Sequence, residues 1–448
     1  MTVRQRFRSS IRRGTGEVFL IMKNHPELDF SREVLQACLN QYNHFYNGTR
    51  TIYLLELLNL TNKKDQMIPG ILEALTAEGP NSYFLEQLYE LAAVFAREGN
   101  EEARTAMYER FSRGPVHEMD LEWDGQEPLI GLDGMRALTF IARTKGRVIQ
   151  ENPEKWDNYI GDWALVNLFQ AENPSINAFS ELRMAAKNDP YVKLFYEHAK
   201  KHKMSKQRKE KFNKAIRKQL SQRYDYATIK RAIDSGEPLF RSGPYYENLS
   251  ENDIKKLADD FLKETNKRKM EKYLVIFSLV KFPYPFPPLL KIVKGKKGRK
   301  YSLQYRLVFQ AIKALRFFPA QEIRQFALSK LRDNDDPGLY VELLVGNYRK
   351  GDGKLLKKLF AKNKNIHTRH SLAHSYVDGI YEANSTKECR ESLEAVYDNS
   401  NCGMVRVRAV SLLYKNGVLS DRIKEEIPFD SYEGVWEFYR EEIKGGGS

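Results

Sequence analysis

The sequence predicts an all-α fold of stacked helical hairpins, and three observations carry that expectation. Apolar residues recur at i, i+3, i+4 and i+7 over most of the 448 residues. Asn-Pro and Asp-Pro pairs stand where such stripes begin, with the polar side chain placed to cap free N–H groups and the proline where a helix loses no hydrogen bond. Helices of one residue pattern return at intervals of roughly 40–45 residues, the spacing of two-helix repeats.

The elements follow in order. Residues 1–24 form a basic N-terminal segment, with five arginines and no acid up to Arg13 and no apolar core of signal-peptide type after them. Residues 25–190 are expected to be N-terminal helical repeats. Within them Tyr83, Phe84, Leu85, Leu88, Leu91, Val94 and Phe95 make one stripe, which Gly99 ends. Asn100 caps the next helix, through Ala103, Met107, Tyr108 and Phe111 to Gly114-Pro115. Asn152-Pro153, Asn173-Pro174, Asp189-Pro190 and Asp336-Pro337 are each read as helix starts. Residues 114–131 and 235–250, rich in Gly and Pro, read as loops. Residues 191–300 make a basic helical insert and a Pro-rich loop. Tyr273 to Val280 continues a helical pattern, Phe282 to Pro288 carries four prolines that predict an extended path, and 295–300 reads as a flexible basic loop, so the whole of 282–300 is expected to be protease-sensitive. Residues 301–444 are C-terminal repeats, and Gly445 to Ser448 reads as an artificial glycine-serine linker.

The repeat rests on particular residues. Met135 to Ala142 matches Val407 to Tyr414 in residue type at nearly every position; Glu322 to Leu331 is a looser version and Arg369 to Ala373 looser still. These arginine- and alanine-bearing helices resemble the second helix of HEAT repeats. The resemblance implies a HEAT-like α-solenoid in which the alanine permits close helix contact and the arginine ties neighbouring repeats. It is clearest over 320–440, extends to 30–175, and is weak in 190–300.

Composition bounds the function. Hydrophobic residues at 42% and charged residues at 29% exclude a collagen-like or broadly disordered chain, and no apolar run is long enough for a transmembrane span. Three cysteines, Cys38, Cys389 and Cys402, are too few for a disulfide framework or a cysteine-based metal site, so a reducing cytoplasm is expected. The net charge of +14 is segregated. Residues 200–223 hold eleven basic residues and one acid, 281–306 hold eight and none, and 354–370 hold six and none, whereas 73–127 is strongly acidic. Segregation of this kind steers a polyanion.

No P-loop, H-E-x-x-H, G-x-S-x-G or dinucleotide-binding motif occurs, so no catalytic residue and no cofactor are assigned, and a binding protein is expected rather than an enzyme. His367, His370, His374 and Asp378 lie at i, i+3, i+7 and i+11 on one helix face. His370 and His374 could chelate a divalent metal with Asp378 as a further ligand. No second ligand cluster stands elsewhere, so the sequence reading assigns them to a polar, partly packed face beside Lys362 and Lys364, and no metal. His198 and His202 sit by the basic tract and read as part of it. Trp156, Asp157, Asp162 and Trp163 supply residue types seen in HEAT-like-repeat alkylpurine DNA glycosylases, which hold a damaged base near tryptophans and an aspartate. One turn after Trp163 comes Asn167 and not an acid, so Trp156 reads as a core anchor.

The expected function is therefore a non-enzymatic scaffold whose basic surface engages a polyanion, first of all nucleic-acid backbone, DNA or RNA. The expected contacts are Lys200, Lys201, Lys203, Lys206, Arg208, Lys209, Lys211, Lys214, Arg217 and Lys218, with Lys294, Lys296, Lys297, Arg299 and Lys300. The alternatives are an adaptor for an acidic protein and a glycosylase acting on alkylated bases.

Overall fold

The computed structural model describes residues 1–42, 49–77, 82–115, 123–156, 161–201, 225–237, 239, 246, 249–333 and 335–445, with 82, 83 and 155 described by backbone only. Among the described residues every regular element is helical and there is no strand. No helix among them is long and apolar enough to cross a membrane.

The helices start where polar side chains replace missing backbone partners. Asn100, Asn177, Asp225, Ser250, Asn266, Ser302 and Asn365 each accept a hydrogen bond from an amide of the first turn that follows. The Ser82–Arg97 helix ends before Gly99, whose φ of 97° only glycine adopts freely. The Lys267–Phe277 helix takes up most of the apolar run that begins at Tyr273.

Contacts divide the chain into two units. The first comprises Met1–Lys209 together with Glu425–Ser448. Its N-terminal helices Val3–Arg13 and Glu17–Asn24 pack on Ser31–Cys38 and Thr49–Leu60, and the C-terminal segment joins them: Ser431 N–H donates to the Gly14 carbonyl at 2.8 Å, and Thr49 Oγ1 donates to the Ser431 carbonyl at 2.7 Å. The Gln126–Glu151 helix bends at Gly134 (φ 54°, ψ −127°), and its second half packs against Pro190–Lys201, where Gly146 meets the Tyr191 backbone. The second unit is Glu210–Lys424. There Lys267–Phe277 and Pro287–Lys294 pack on Leu303–Leu315, and Asp352–Lys362, Cys389–Tyr397 and Gly403–Lys415 pack in succession.

Many hydrogen bonds between elements span 34 to 40 residues, while others, such as Arg4 with Glu33 and Arg324 with Asp352, span 28 to 29. In the first unit Tyr53 bonds Thr15, Lys63 bonds Asp29, Lys64 bonds Glu98 and Gly125 bonds Glu86, over 34 to 39 residues. In the second unit Tyr226 with Asp260, Arg306 with Glu271, Lys297 with Asp335, Asn384 with Val345 and Tyr348 with Glu388 span 34 to 40. This separation is somewhat shorter than the interval read from the sequence.

Several expectations are corrected. Residues 282–300 are not one extended loop, because Pro287–Lys294 is a helix with Leu289, Leu290 and Val293 buried beneath it. Phe282 is buried too, edge-on to Phe277 at 4.9 Å, so the Pro-rich segment is packed into the second unit. The expected loop over 114–131 gives way at Gln126, where a helix begins; residues 116–122 lie outside the described residues. Asn173 does not start a helix: its side chain donates to the Phe169 carbonyl and closes the preceding one, and Asn177 caps the next. Asp189 behaves as expected, accepting from the Tyr191 and Val192 amides. Asp336 precedes the short Pro337–Tyr340 helix from a left-handed conformation without capping it. In the loop expected over 235–250, residues 238, 240–245 and 247–248 lie outside the described residues, whereas Tyr246 is buried.

Candidate functional sites

The basic tracts meet different fates. The five N-terminal arginines belong to the folded Val3–Arg13 helix, and four are matched: Arg4 and Arg8 grip Glu33, while Arg6 and Arg13 face Glu17. Arg12 stacks over Tyr42. Lys200 and Lys201 are exposed at the end of Pro190–Lys201, where cations complement the helix dipole. The other expected contacts of that tract, Lys203, Lys206, Arg208, Lys209, Lys211, Lys214, Arg217 and Lys218, lie outside the described residues.

The second tract is described in full. Lys294 pairs with Glu322 at 2.7 Å, and Lys297 pairs with Asp335 at 2.6 Å, so these two serve the fold. Among the described residues Lys296, Arg299 and Lys300 are not paired in this way, and all three are exposed. Between them and the Leu303–Leu315 helix stands Tyr301, 76% exposed, in a left-handed conformation (φ 67°) and flanked by Lys300, whose Nζ is 5.4 Å from its ring centroid. A large aromatic held out into solvent beside cations has the chemistry on which a base can stack while its phosphates meet the cations. Tyr301 was not singled out in the sequence, where it reads as one more aromatic before a helix. In the third tract Lys357 pairs with Glu391, and Arg369 donates to the Asn363 carbonyl.

Trp156 and Asp162 are placed inside the first unit. Asp162 and Lys145 are both fully buried and pair at 2.6 Å, and the ammonium faces the rings of Trp123 and Trp156. Burial alone would raise the Asp162 pKa, but Lys145 and His198 outweigh it and hold the carboxyl below its usual range. His198 therefore does not add to the basic tract as the sequence suggested; its Nδ1 lies 3.1 Å from Asp162, and its Nε2 lies 2.6 Å from the Trp156 carbonyl. A buried carboxylate so engaged anchors the core and has no open face toward a flipped base.

The histidine face gains a partner that lies on a later hairpin. His370 and His374 sit on Ile366–His374, which runs into the π-helical turn Ser375–Ile380, a distortion that often marks functional positions. Tyr376 anchors that turn by donating to the Leu356 carbonyl at 2.8 Å. Asp378, on the turn, accepts from His374 Nδ1 at 2.8 Å and from Arg408 at 3.1 Å. Cys402, buried at 3% exposure, is the N-cap of Gly403–Lys415, and its thiol meets both imidazoles. The donor atoms of His370, His374 and Cys402 all lie within 4.8 Å of one another. Burial pushes the Cys402 thiol up, but hydrogen bonds from His370 and His374 and the Val405 amide overcome this and bring it down to about 6. Asp378, and then Cys402, raise His374 to about 9. Burial instead pushes Cys389 up to about 11 and Cys38 up to about 12.

Comparison of the chain with known protein families, with curated proteins and with solved structures finds no match.

Proposed function

We propose that this chain is a non-enzymatic HEAT-like helical-repeat scaffold of a reducing, cytoplasmic setting that engages nucleic-acid backbone through its basic loops. The repeat reading is supported by the set of inter-element bonds that span 34 to 40 residues, since in a repeat array each unit touches its neighbours. Two of the repeat arginines make the ties that the resemblance implies. Arg324 clamps Asp352 through two bonds of 2.6 and 2.7 Å, and Arg408 reaches back to Asp378. The observation that carries the nucleic-acid reading is the group of Lys296, Arg299 and Lys300 around the protruding Tyr301, with no acid of the chain paired to them among the described residues. The 200–223 tract supplies further cations.

Phosphate binding releases counterions, so affinity should weaken steeply with salt and without sequence preference. Affinity for single-stranded and duplex oligonucleotides, measured at two salt concentrations, tests this. Reversing Lys296, Arg299 and Lys300 to Glu should weaken both and reduce the salt slope by roughly 0.7–0.9 for each phosphate left unneutralised. Tyr301→Ala should weaken the single strand alone, by about 1–3 kcal/mol. Reversing Lys206, Arg208, Lys209 and Lys211 to Glu measures the share of the other tract. Wild-type protein that binds neither DNA nor RNA at low salt sinks the reading in favour of an acidic protein partner.

A further inference from the structure

We propose that His370, His374 and Cys402 form a divalent-metal site of the zinc type, with a fourth position open to solvent. The proposal stands independently of nucleic-acid binding and rests on three features of the fold.

The first is the donor set. Two imidazoles and a thiol are the borderline-soft ligands that suit zinc and its neighbours and that magnesium or calcium avoid. The second is placement. His370 and His374 are one helical turn apart and so project from one face, and Cys402 approaches that face from the N-terminus of the following hairpin's second helix. Their donor atoms already lie within 4.8 Å of one another. Tetrahedral coordination at zinc requires roughly 3.3–3.6 Å between such atoms, so binding would draw the donors together by about 1 Å. The third is the support behind the ligands. His374 Nδ1 is bonded to Asp378, which leaves Nε2 to ligate, and Asp378 is itself held by Arg408. A carboxylate on the far nitrogen of a ligating histidine fixes the ring and raises its basicity. Asp378 is thus a positioning residue here and not the further ligand considered from the sequence.

Three protein donors leave one coordination place. His370 and His374 are only half-buried, so that place faces water and could take a water or an anionic ligand. Cys38 and Cys389 are buried elsewhere and take no part in the cluster.

The test is a cobalt titration of the reduced, chelator-treated full chain. Expected are a near-ultraviolet thiolate-to-cobalt charge-transfer band and intense tetrahedral visible bands. Both should saturate at one equivalent and be displaced by zinc. Cys402→Ser should abolish the charge-transfer band, and His370→Gln should weaken cobalt affinity at least tenfold. Asp378→Asn should weaken it by roughly 10–100-fold. His367→Gln should change nothing, because His367 lies outside the cluster. Circular dichroism of each variant shows whether the helices persist, and His374→Gln replaces any variant that unfolds. Wild-type protein without the band overturns the proposal whatever the variants do. So does a band that survives Cys402→Ser, or one that cobalt gives and zinc cannot displace.

Discussion

Glu86 is an acid placed among acids. Burial first, then Asp124, Glu90 and Glu127, push its carboxyl up to about 7, against the opposing bond it accepts from the Gly125 amide at 2.8 Å. A carboxyl whose folded pKa lies above its unfolded value binds more protons when folded, so stability falls as pH rises between the two. The loss therefore begins near the ordinary glutamate value of 4.5 and is complete above about 7. Glu86→Gln keeps an acceptor for Gly125 and removes the titration. Its advantage over wild type should be small at a pH of roughly 5 and reach about 2–3 kcal/mol at roughly 8. Denaturant midpoints at the two pH values check this, and an advantage that does not grow with pH refutes it. Legibility at this scale divides along chain distance. His370, His374 and Asp378 were readable because helical spacing puts them on one face. Cys402 was not, because nothing local in a Cys-Gly-Met-Val run says which earlier helix its hairpin will meet. Lys145 and His198 were missed for the same reason: each reads as a solvated cation until Asp162 is brought between them.

Elements were legible where local chemistry decides them and not where packing overrules it. Cap residues such as Asn100 and Asp189 marked helix starts correctly because they satisfy the first turn without help. The prolines after Phe282 predict an extended path, yet proline is suited to the first helical positions, and the buried Leu289, Leu290 and Val293 draw Pro287–Lys294 into a helix. The first part of the segment expected to be protease-sensitive, through Lys294, is thus packed, whereas Lys296, Arg299 and Lys300 after it are exposed. Two glycines show the same competition between local propensity and packing. Both Gly70 and Gly146 lie in helices, where alanine is favoured by about 1 kcal/mol. A Cβ on Gly70 meets nothing within 4 Å, whereas one on Gly146 would collide with the Tyr191 carbonyl oxygen, a backbone atom that cannot swing aside. Gly70→Ala should therefore stabilise by up to about 1 kcal/mol, and Gly146→Ala should destabilise by about 1–3 kcal/mol. Equal effects of the same sign in chemical denaturation would contradict this account.

At the scale of the whole molecule the sequence conveyed the helical class and the charge segregation, but not which ends of the chain belong together. The sequence places the last residues at the close of a C-terminal repeat block, because repeat patterns record neighbours in sequence only. They are instead part of the first unit, where Ile427 and Val435 are fully buried, Phe429 packs near Phe19 at 5.5 Å, and Ser431 bonds Gly14 and Thr49. Burying two aliphatic side chains alone is worth about 3–6 kcal/mol relative to leaving them exposed, a large part of the stability of a typical domain. Removing residues 425–448 should therefore loosen the Val3–Arg13, Glu17–Asn24 and Thr49–Leu60 helices. The helices of the second unit, which have their own core in Leu274, Val308, Ile312, Leu356, Leu393 and Val410, should keep theirs. Native-state hydrogen exchange on the full and shortened chains distinguishes the two, since it reports opening segment by segment. Amide protection should fall in the three N-terminal helices and persist in Leu303–Leu315 and Gly403–Lys415. Protection that falls uniformly along the chain would mean that the two units do not open independently, and protection unchanged at the N-terminus would mean that the C-terminal segment contributes nothing to the first unit's core.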